Sequence, residues 1–212
     1  MPSAEKLLSG FKVFRSTTYE QKKDMVDHLL AQGQRPSTMI ISCSELRLPP
    51  AELFSTNPGE LYIVNNIGGL VPKYDTAAGV HGIMSAIEYA VQDIEVSNII
   101  VLGHAKCEGI KMMLSDKSSS NRTISESMKA WLSIISEAKD AVKSEHYENP
   151  EKEQFACEHE SLIISLRNLM GYPYIADRMG KNKLNLFAWH FDISTGGISA
   201  YNPSSGFFEN LS

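Results

Sequence analysis

The sequence predicts an α/β protein in which a mainly parallel central sheet is flanked by helices. Three short apolar runs, at 38–43, 60–65 and 98–103, have the length and β-branched content of buried strands. Helical segments separate these runs, and strands that alternate with helices usually pair in parallel. The 212 residues suffice for one domain, which we expect to comprise an N-terminal helical arm at 1–35 and an α/β core at 36–212.

Two helices are predicted in the arm. Apolar residues recur on one helical face at 4–15, where Ser3 is the expected N-cap, and again at 18–32, where Gly33 is the expected stop. The residues that form these two faces are Leu7, Leu8, Phe11, Phe14, Met25, Val26, Leu29 and Leu30. Because both helices precede the first strand and have no sheet of their own to cover, we expect them to pack on a neighbouring subunit.

The other elements are predicted from periodicity and turn residues. We expect helices at 75–92, 125–142 and 150–170, a loop at 116–121, and a late strand and its hairpin partner at 184–191 and 198–201. Asp75 or Thr76 is the expected cap of the first of these helices. Gly68 and Gly69, shortly after the second strand, indicate a flexible or closely approached backbone.

Composition and charge exclude several classes of protein. A net charge of -5 with no basic stripe argues against nucleic acid as the principal partner. Three cysteines are too few for a disulfide framework, which favours a reducing compartment. The first 14 residues carry Glu5, Lys6 and Lys12, so they resemble neither a signal peptide nor a membrane span. We therefore expect a soluble cytoplasmic protein without a membrane partner.

Reactive side chains follow two of the predicted strands. Cys43, Glu45 and Arg47 close the first strand, whereas His104 and Cys107 follow the third. In a parallel sheet, ligands bind outside the carboxyl ends of the strands, where all five residues fall. Thiolate and imidazole are preferred zinc ligands, and a catalytic zinc site keeps its fourth position open to water. The sequence therefore predicts zinc held by the two cysteines and the histidine.

Other interpretations of the same residues remain open. A single cysteine at a strand end is often only a small apolar side chain, and this is how we interpret Cys157. Glu45 is either paired with Arg47 and so held away from the metal, or it is itself the fourth ligand. A cysteine phosphatase loop is disfavoured, since its phosphate cradle needs more residues than the three between Cys43 and Arg47.

These segments resemble the β-class carbonic anhydrases. That family carries Cys-x-Asp-x-Arg after its first strand and His-x-x-Cys after a later one. The resemblance runs from about Leu29 to Tyr201 and includes PGELYIVNNIGGLVP, SAIEYAV and NIIVLGHAKCEGI. It implies a homodimer or homotetramer with one Zn²⁺ per subunit, in which the N-terminal helices embrace the partner subunit. It also implies reversible hydration of carbon dioxide to bicarbonate.

The resemblance assigns the metal and catalytic residues individually. Cys43, His104 and Cys107 match the zinc ligands, Arg47 matches the arginine of the catalytic dyad, and Glu45 occupies the position of its aspartate. Hydroxide on zinc would attack carbon dioxide, and the dyad would orient that hydroxide.

The resemblance also indicates a subgroup and a substrate pocket. Gln34 matches the glutamine that binds substrate in the plant-like, type I-like open subgroup. Tyr62, Ile67 and Tyr89 fall where that subgroup lines its apolar pocket. Ile40 stands where the allosteric subgroup has a tryptophan, which favours the open form.

Two further functions fit the same motifs. Altered residues at the pocket rim, Leu46, Gly68 and Glu108, suit a hydrolase of another small linear electrophile such as carbon disulfide or carbonyl sulfide. A zinc-stabilised binding protein would instead have Glu45 as a permanent fourth ligand.

Overall fold

The computed structural model of the protein describes residues 3–77, 79, 81–115 and 124–211, and its centre is a six-stranded sheet. The strands are β1 Thr38–Cys43, β2 Leu61–Asn66, β3 Asn98–His104, β4 Asn185–Asp192, β5 Gly197–Asn202 and β6 Phe207–Asn210. They are ordered β2-β1-β3-β4-β5-β6, with the first four parallel and the last two antiparallel. The predicted mainly parallel sheet flanked by helices is confirmed.

The helices of the described residues are named in chain order. They are α1 Ala4–Phe14, α2 Glu20–Gln32, α3 Pro50–Leu53, α4 Gly82–Glu88, α5 Glu108–Leu114, α6 Glu126–Leu132, α7 Ser136–Ser144, α8 Pro150–Met170 and α9 Pro173–Gly180. A π-helical turn at Arg15–Tyr19 joins α1 to α2. Within the described ranges, no helix combines the length and the apolar character needed to cross a membrane.

The two central strands supply the middle of the core. Met39, Ile40 and Ile41 of β1 and Val101 and Leu102 of β3 are fully buried. Strands covered on both faces in this way need the continuous apolar runs that the sequence shows. The bounds of β1 match the prediction, β2 lies one residue later than expected, and β3 extends to include His104. His104 is therefore the last residue of a strand rather than the first of a loop.

The helix expected from Asp75 or Thr76 begins only at Gly82. Asp75 Oδ1 accepts a hydrogen bond from the backbone N–H of Ala77 at 2.8 Å, which closes a local turn instead of capping a helix. The extended His81, with φ −136°, precedes the first turn of α4. A π-helical turn at Tyr89–Asp93 follows α4. Val80, which the apolar periodicity of 75–92 predicts on the buried face of this helix, lies outside the described residues.

Later elements agree with prediction in kind and differ in their limits. The helix expected at 125–142 is divided between α6 and α7 by a 3-10 turn at Ser133–Ile135. Helix α8 has its predicted bounds, while α3, α9 and β6 were not predicted. Pro173 is the first residue of α9, a position that proline favours. The loop expected at 116–121 lies outside the described residues.

A tight turn at Ile67–Gly69 covers the end of β1. Gly68 and Gly69 have φ of 79° and 64°, and a Cβ on Gly69 would lie 3.2 Å from the backbone nitrogen of Cys43. The Asn66 side chain braces this turn, since its Oδ1 accepts from the N–H of Leu70 at 2.7 Å and its Nδ2 donates to the Leu70 carbonyl at 2.9 Å. The closely approached backbone predicted at the two glycines is thus confirmed.

We predict that Gly69→Ala lowers the free energy of unfolding by about 2–4 kcal/mol, because left-handed strain adds to contact with the backbone of Cys43. Gly196→Ala is the matched control, since Gly196 has φ 76° and nothing within 4 Å of its added Cβ. Its cost should be strain alone, about 1–2 kcal/mol. Urea denaturation of both variants measures the free energy of unfolding. Equal losses in the two variants would mean that the close approach of Gly69 to β1 adds nothing to the cost.

Candidate metal centre

Two neighbouring strand ends bring the predicted ligands together. Cys43 ends β1, His104 ends β3, and Cys107 is the N-cap residue of α5. Strands β1 and β3 pair in parallel, so their carboxyl ends lie side by side. The three side chains are buried, with exposed fractions of only 2–3%. One potential ligand atom from each residue lies within 4.8 Å of the other two.

The spacing of the two sulfurs is that of metal-bound thiolates. Cys43 Sγ and Cys107 Sγ are 3.8 Å apart, and both cysteines are free. Two Zn–S bonds of ~2.3 Å at a tetrahedral angle separate their sulfurs by roughly 3.8 Å. A disulfide bond would require about 2.05 Å. The donor set therefore fits a tetrahedral metal such as zinc.

The His104 ring is oriented for ligation. Its Nδ1 lies 3.0 Å from the carbonyl oxygen of Ala105, which can only accept, so Nδ1 carries the proton. Its buried Nε2 has no hydrogen-bond partner within the described residues. A buried polar atom without a partner is costly, and fixing one ring nitrogen by a backbone carbonyl is how proteins present the other to a metal.

The electrostatics of the cysteine pair favour a cation. The hydrogen bond from Cys107 is the largest of the causes that lower the pKa of Cys43 to about 4, and the N–H groups of Glu45 and Gly68, each 3.3 Å from its Sγ, act in the same direction. The same pairing and burial raise the pKa of Cys107. A metal ion that binds both sulfurs displaces the proton between them.

Glu45 is held at the start of α5. Its Oε2 accepts a hydrogen bond from the backbone N–H of Glu108 at 3.0 Å. Arg47 is exposed and makes no hydrogen bond or ion pair with any residue that the structure describes. The pairing of Glu45 with Arg47 that the sequence suggested is therefore not formed, and the helix N-terminus takes the place of the guanidinium.

Of the predicted pocket residues, Ile67 is the one that lies close to a metal ligand, Cys107. A Cβ on Gly109 would meet Ile67 Cγ2 at 2.9 Å and Cys107 Sγ at 3.7 Å. The Ile67 carbonyl accepts a hydrogen bond from Trp131 Nε1 at 2.8 Å. A cleft of about 540 Å³ opens beside Ile67, and Ile83 also contributes to its mainly apolar wall. Ile67 thus lies both on the wall of this cleft and close to Cys107, and none of the three ligands lines the cleft.

Gln34, Tyr62 and Tyr89 lie elsewhere in the same chain. Tyr62 is in register with Met39, so it stands roughly 13 Å along the strand from Cys43 at ~3.3 Å per residue. Its ring packs on Tyr89 with centroids 6.2 Å apart. Gln34 is exposed and precedes the opposite end of β1. The structure therefore does not bring these three residues to the ligands of their own chain.

Sequence reasoning missed a group of residues behind Cys107. The backbone N–H of Cys107 donates to Glu158 Oε1 at 2.9 Å, and its carbonyl accepts from Gln154 Nε2 at 3.0 Å. Glu158 Oε2 lies 3.2 Å from His190 Nε2. The available signal was a glutamate within a stretch of α8 that also holds the buried Cys157 and Leu162, because a charged residue is rarely fully buried without a partner.

Comparison with known proteins agrees with this geometry. The carbonic anhydrase family model matches residues 38–198. Beta carbonic anhydrase 3 of Arabidopsis thaliana is 32% identical over 197 residues, which are 92% of this chain and 76% of that protein. The chain belongs to the β-class carbonic anhydrases. The recognition made from the motifs is thus confirmed.

Other β-class relatives match nearly the whole chain. A carbonic anhydrase of Helicobacter pylori is 31% identical over 213 residues, or 97% of this chain and 94% of that protein. The solved structure of the β-carbonic anhydrase CcaA superposes with a TM-score of 0.89 and 28% identity, covering 98% of this chain and 92% of that one. The protein is therefore a carbonic anhydrase in both sequence and fold, and its family acts on carbon dioxide.

We predict that Cys43→Ser and Cys107→Ser each abolish stoichiometric zinc binding, because a hydroxyl does not replace a thiolate ligand. Cys157→Ser is the matched control. Cys157 is fully buried in α8, and burial raises its pKa to about 12. Metal analysis after dialysis should give one zinc per chain for the wild type and the control and none for the other two. Retention of zinc by either of those would remove that cysteine from the ligand set.

Proposed function

We propose that the protein catalyses the zinc-dependent, reversible hydration of carbon dioxide to bicarbonate and a proton, with one Zn²⁺ per subunit held by Cys43, His104 and Cys107. The observation that carries the proposal is the convergence of two sulfurs and an unpartnered imidazole nitrogen within 4.8 Å. When bound, zinc supplies a Lewis acid that lowers the pKa of coordinated water to about 7 and so provides a nucleophile at neutral pH.

The carboxylate of Glu45 supports an open site. With Oε2 engaged by the Glu108 N–H, Glu45 is tethered to α5, and Oε1 remains to accept a hydrogen bond from the nucleophile. This arrangement favours an open fourth position over Glu45 as a permanent ligand. Arg47 adds a positive charge two residues further along the chain, which attracts the bicarbonate product.

Ile67 suits the substrate. Carbon dioxide is small and carries no net charge, and Ile67 places an apolar side chain close to Cys107. Trp131 Nε1 donates to the Ile67 carbonyl and so holds this residue in place. The chain itself thus provides the positioning on which the hydration depends.

The exposed arm supports a homo-oligomer. No residue of α1 or α2 is buried, and the exposed fractions of Leu7, Leu8, Phe11 and Phe14 are 63%, 56%, 54% and 45%. An apolar helix face of this kind is an interaction surface. We assign it to a second copy of the chain in a homodimer or homotetramer. Gln34, Tyr62 and Tyr89, which lie away from their own ligands, then serve the site of a neighbouring subunit.

We predict that zinc-loaded protein accelerates carbon dioxide hydration in stopped-flow assays and that Glu45→Gln lowers the rate by about 10²-fold with zinc retained. The amide oxygen of the substituted side chain can still accept from the Glu108 N–H, but its NH₂ cannot accept from the nucleophile. Asp177→Asn is the control, because it removes only an exposed charge that pairs with Lys181 and should stay within about twofold.

Two outcomes, one in the hydration assay and one in an assay with carbonyl sulfide as substrate, would contradict the proposal. One is a hydration rate of the zinc-loaded protein that does not exceed that of buffer. The other is sulfide release from carbonyl sulfide without bicarbonate formation, which would identify the second substrate class instead.

We predict that Leu8→Glu combined with Phe11→Glu yields a monomer that keeps zinc and loses at least about tenfold in hydration, because charges on the apolar face prevent burial. Ser9→Glu, on the opposite face of α1, should remain oligomeric and active. Sedimentation velocity measures the oligomeric state, metal analysis measures the zinc content, and the stopped-flow assay measures hydration. A monomeric wild type would contradict the proposed oligomer. A monomeric variant with full activity would show that hydration does not depend on assembly.

A further inference from the structure

Side chains of α8 hold both backbone polar groups of Cys107. The N–H donates to Glu158 Oε1 at 2.9 Å and the carbonyl accepts from Gln154 Nε2 at 3.0 Å. Gln154 Nε2 also lies 3.0 Å from Glu158 Oε1, so the two side chains brace each other. The residue that contributes the last sulfur of the metal centre is thus fixed through its main chain.

His190 holds the second carboxylate oxygen of Glu158. The exposed fraction of Glu158 is 3%, and His190 on β4, at 2%, places Nε2 3.2 Å from Glu158 Oε2. Every hydrogen bond of the carboxylate therefore goes to protein groups. A buried carboxylate–imidazole pair seldom stabilises a fold more than apolar side chains of equal volume would. This cost makes a role beyond packing the better explanation for the pair.

The turn that leads to Cys107 needs such a restraint. Lys106 has φ 58°, in the left-handed region that disfavours a non-glycine residue. A strained residue persists only where its surroundings determine it. Here the turn is short, since Cys107 follows His104 after two residues. Release of the Cys107 backbone would let the turn relax and move its sulfur away from His104 Nε2.

We propose that Glu158 is a positioning residue of the metal centre, which sets the place of Cys107 Sγ through the Cys107 N–H, and that His190 acts by holding Glu158. This inference rests on the zinc centre of the proposed function. Neither residue ligates the metal in this arrangement. Both tune how tightly the site closes around it, in the way that outer partners of ligands do elsewhere.

The test is zinc affinity, measured by competition with a chromophoric chelator on the full-length protein. Glu158→Leu should weaken binding by about 10–100-fold, the range found when an outer partner of a ligand is removed. Glu158→Gln keeps an oxygen that accepts from Cys107, so it should recover most of the affinity. In the cobalt-substituted protein, the thiolate-to-cobalt absorption band should shift for the leucine variant and return toward the wild type for the glutamine variant.

A matched control separates positioning from stability. Ser165→Ala removes another buried hydrogen bond of α8, in which Ser165 Oγ accepts from the Val71 N–H at 3.2 Å. It should lower the free energy of unfolding by about 1–3 kcal/mol and leave zinc affinity within about twofold. If Ser165→Ala weakens zinc binding as much as Glu158→Leu does, the role of Glu158 is only structural and the proposal fails.

The role of His190 is tested in two backgrounds. His190→Phe should weaken zinc binding about fivefold or more in the wild type and by less than about twofold in the Glu158→Leu variant, since the partner is then missing. Equal effects in both would mean that His190 does not act through Glu158. Should Glu158→Leu fail to fold, Gln154→Ala is the second variant. It frees the Cys107 carbonyl and removes the hydrogen bond from Gln154 to Glu158, so it should also weaken zinc binding, by a smaller factor.

The outcomes also distinguish this proposal from the proposed function. If the wild type binds no zinc, both fail. If it binds zinc and the Glu158 and His190 variants bind equally tightly, only the positioning role fails. Zinc affinity needs no carbon dioxide, so an absent hydration rate with the predicted affinities would overturn the activity and leave the positioning role intact.

Discussion

The parallel pairing of β1 with β3 is the constraint on which the rest of this structure depends. It places Ser42 opposite Leu102, so the residues that follow, Cys43 and His104, emerge at one edge of the sheet. Only a short turn is then needed to bring Cys107 back to the same point. The apolar side chains of both strands are buried on both faces, and this burial supplies the free energy that fixes the ligands before any metal binds.

Two supports complete the arrangement from opposite sides. The turn at Ile67–Gly69 lies over β1 and gives the Gly68 N–H to Cys43 Sγ at 3.3 Å. Helix α8 lies behind the other strand end and gives Glu158 to the Cys107 N–H. A site whose ligands are held from outside in this way changes little when a metal enters, which lowers the cost of binding. Gly68 and the buried carboxylate of Glu158 are needed at these positions for that reason.

Local chemistry predicted the strands and the ligand set, and long-range geometry decided the rest. The β-branched runs that end at Cys43 and His104 can be recognised as strands from their own side chains alone. The partner of Glu45 is the N–H of Glu108, 63 residues away, and depends on where α5 begins. Asp75 suits a turn as well as a helix cap, so sequence alone misplaced the start of α4. Glu158 was missed because its partners come from other elements.

The length of β1 limits where Gln34 can act. Gln34 precedes the amino end of the strand and Cys43 closes its carboxyl end, so the five steps from Thr38 to Cys43, at ~3.3 Å each, put about 17 Å between the two ends. No side chain spans that distance. Either Gln34 takes no part in the reaction, or it acts in the site of another subunit. The exposed apolar face of α1, upstream in the chain, favours the second, because it is the surface on which we propose that a second copy packs.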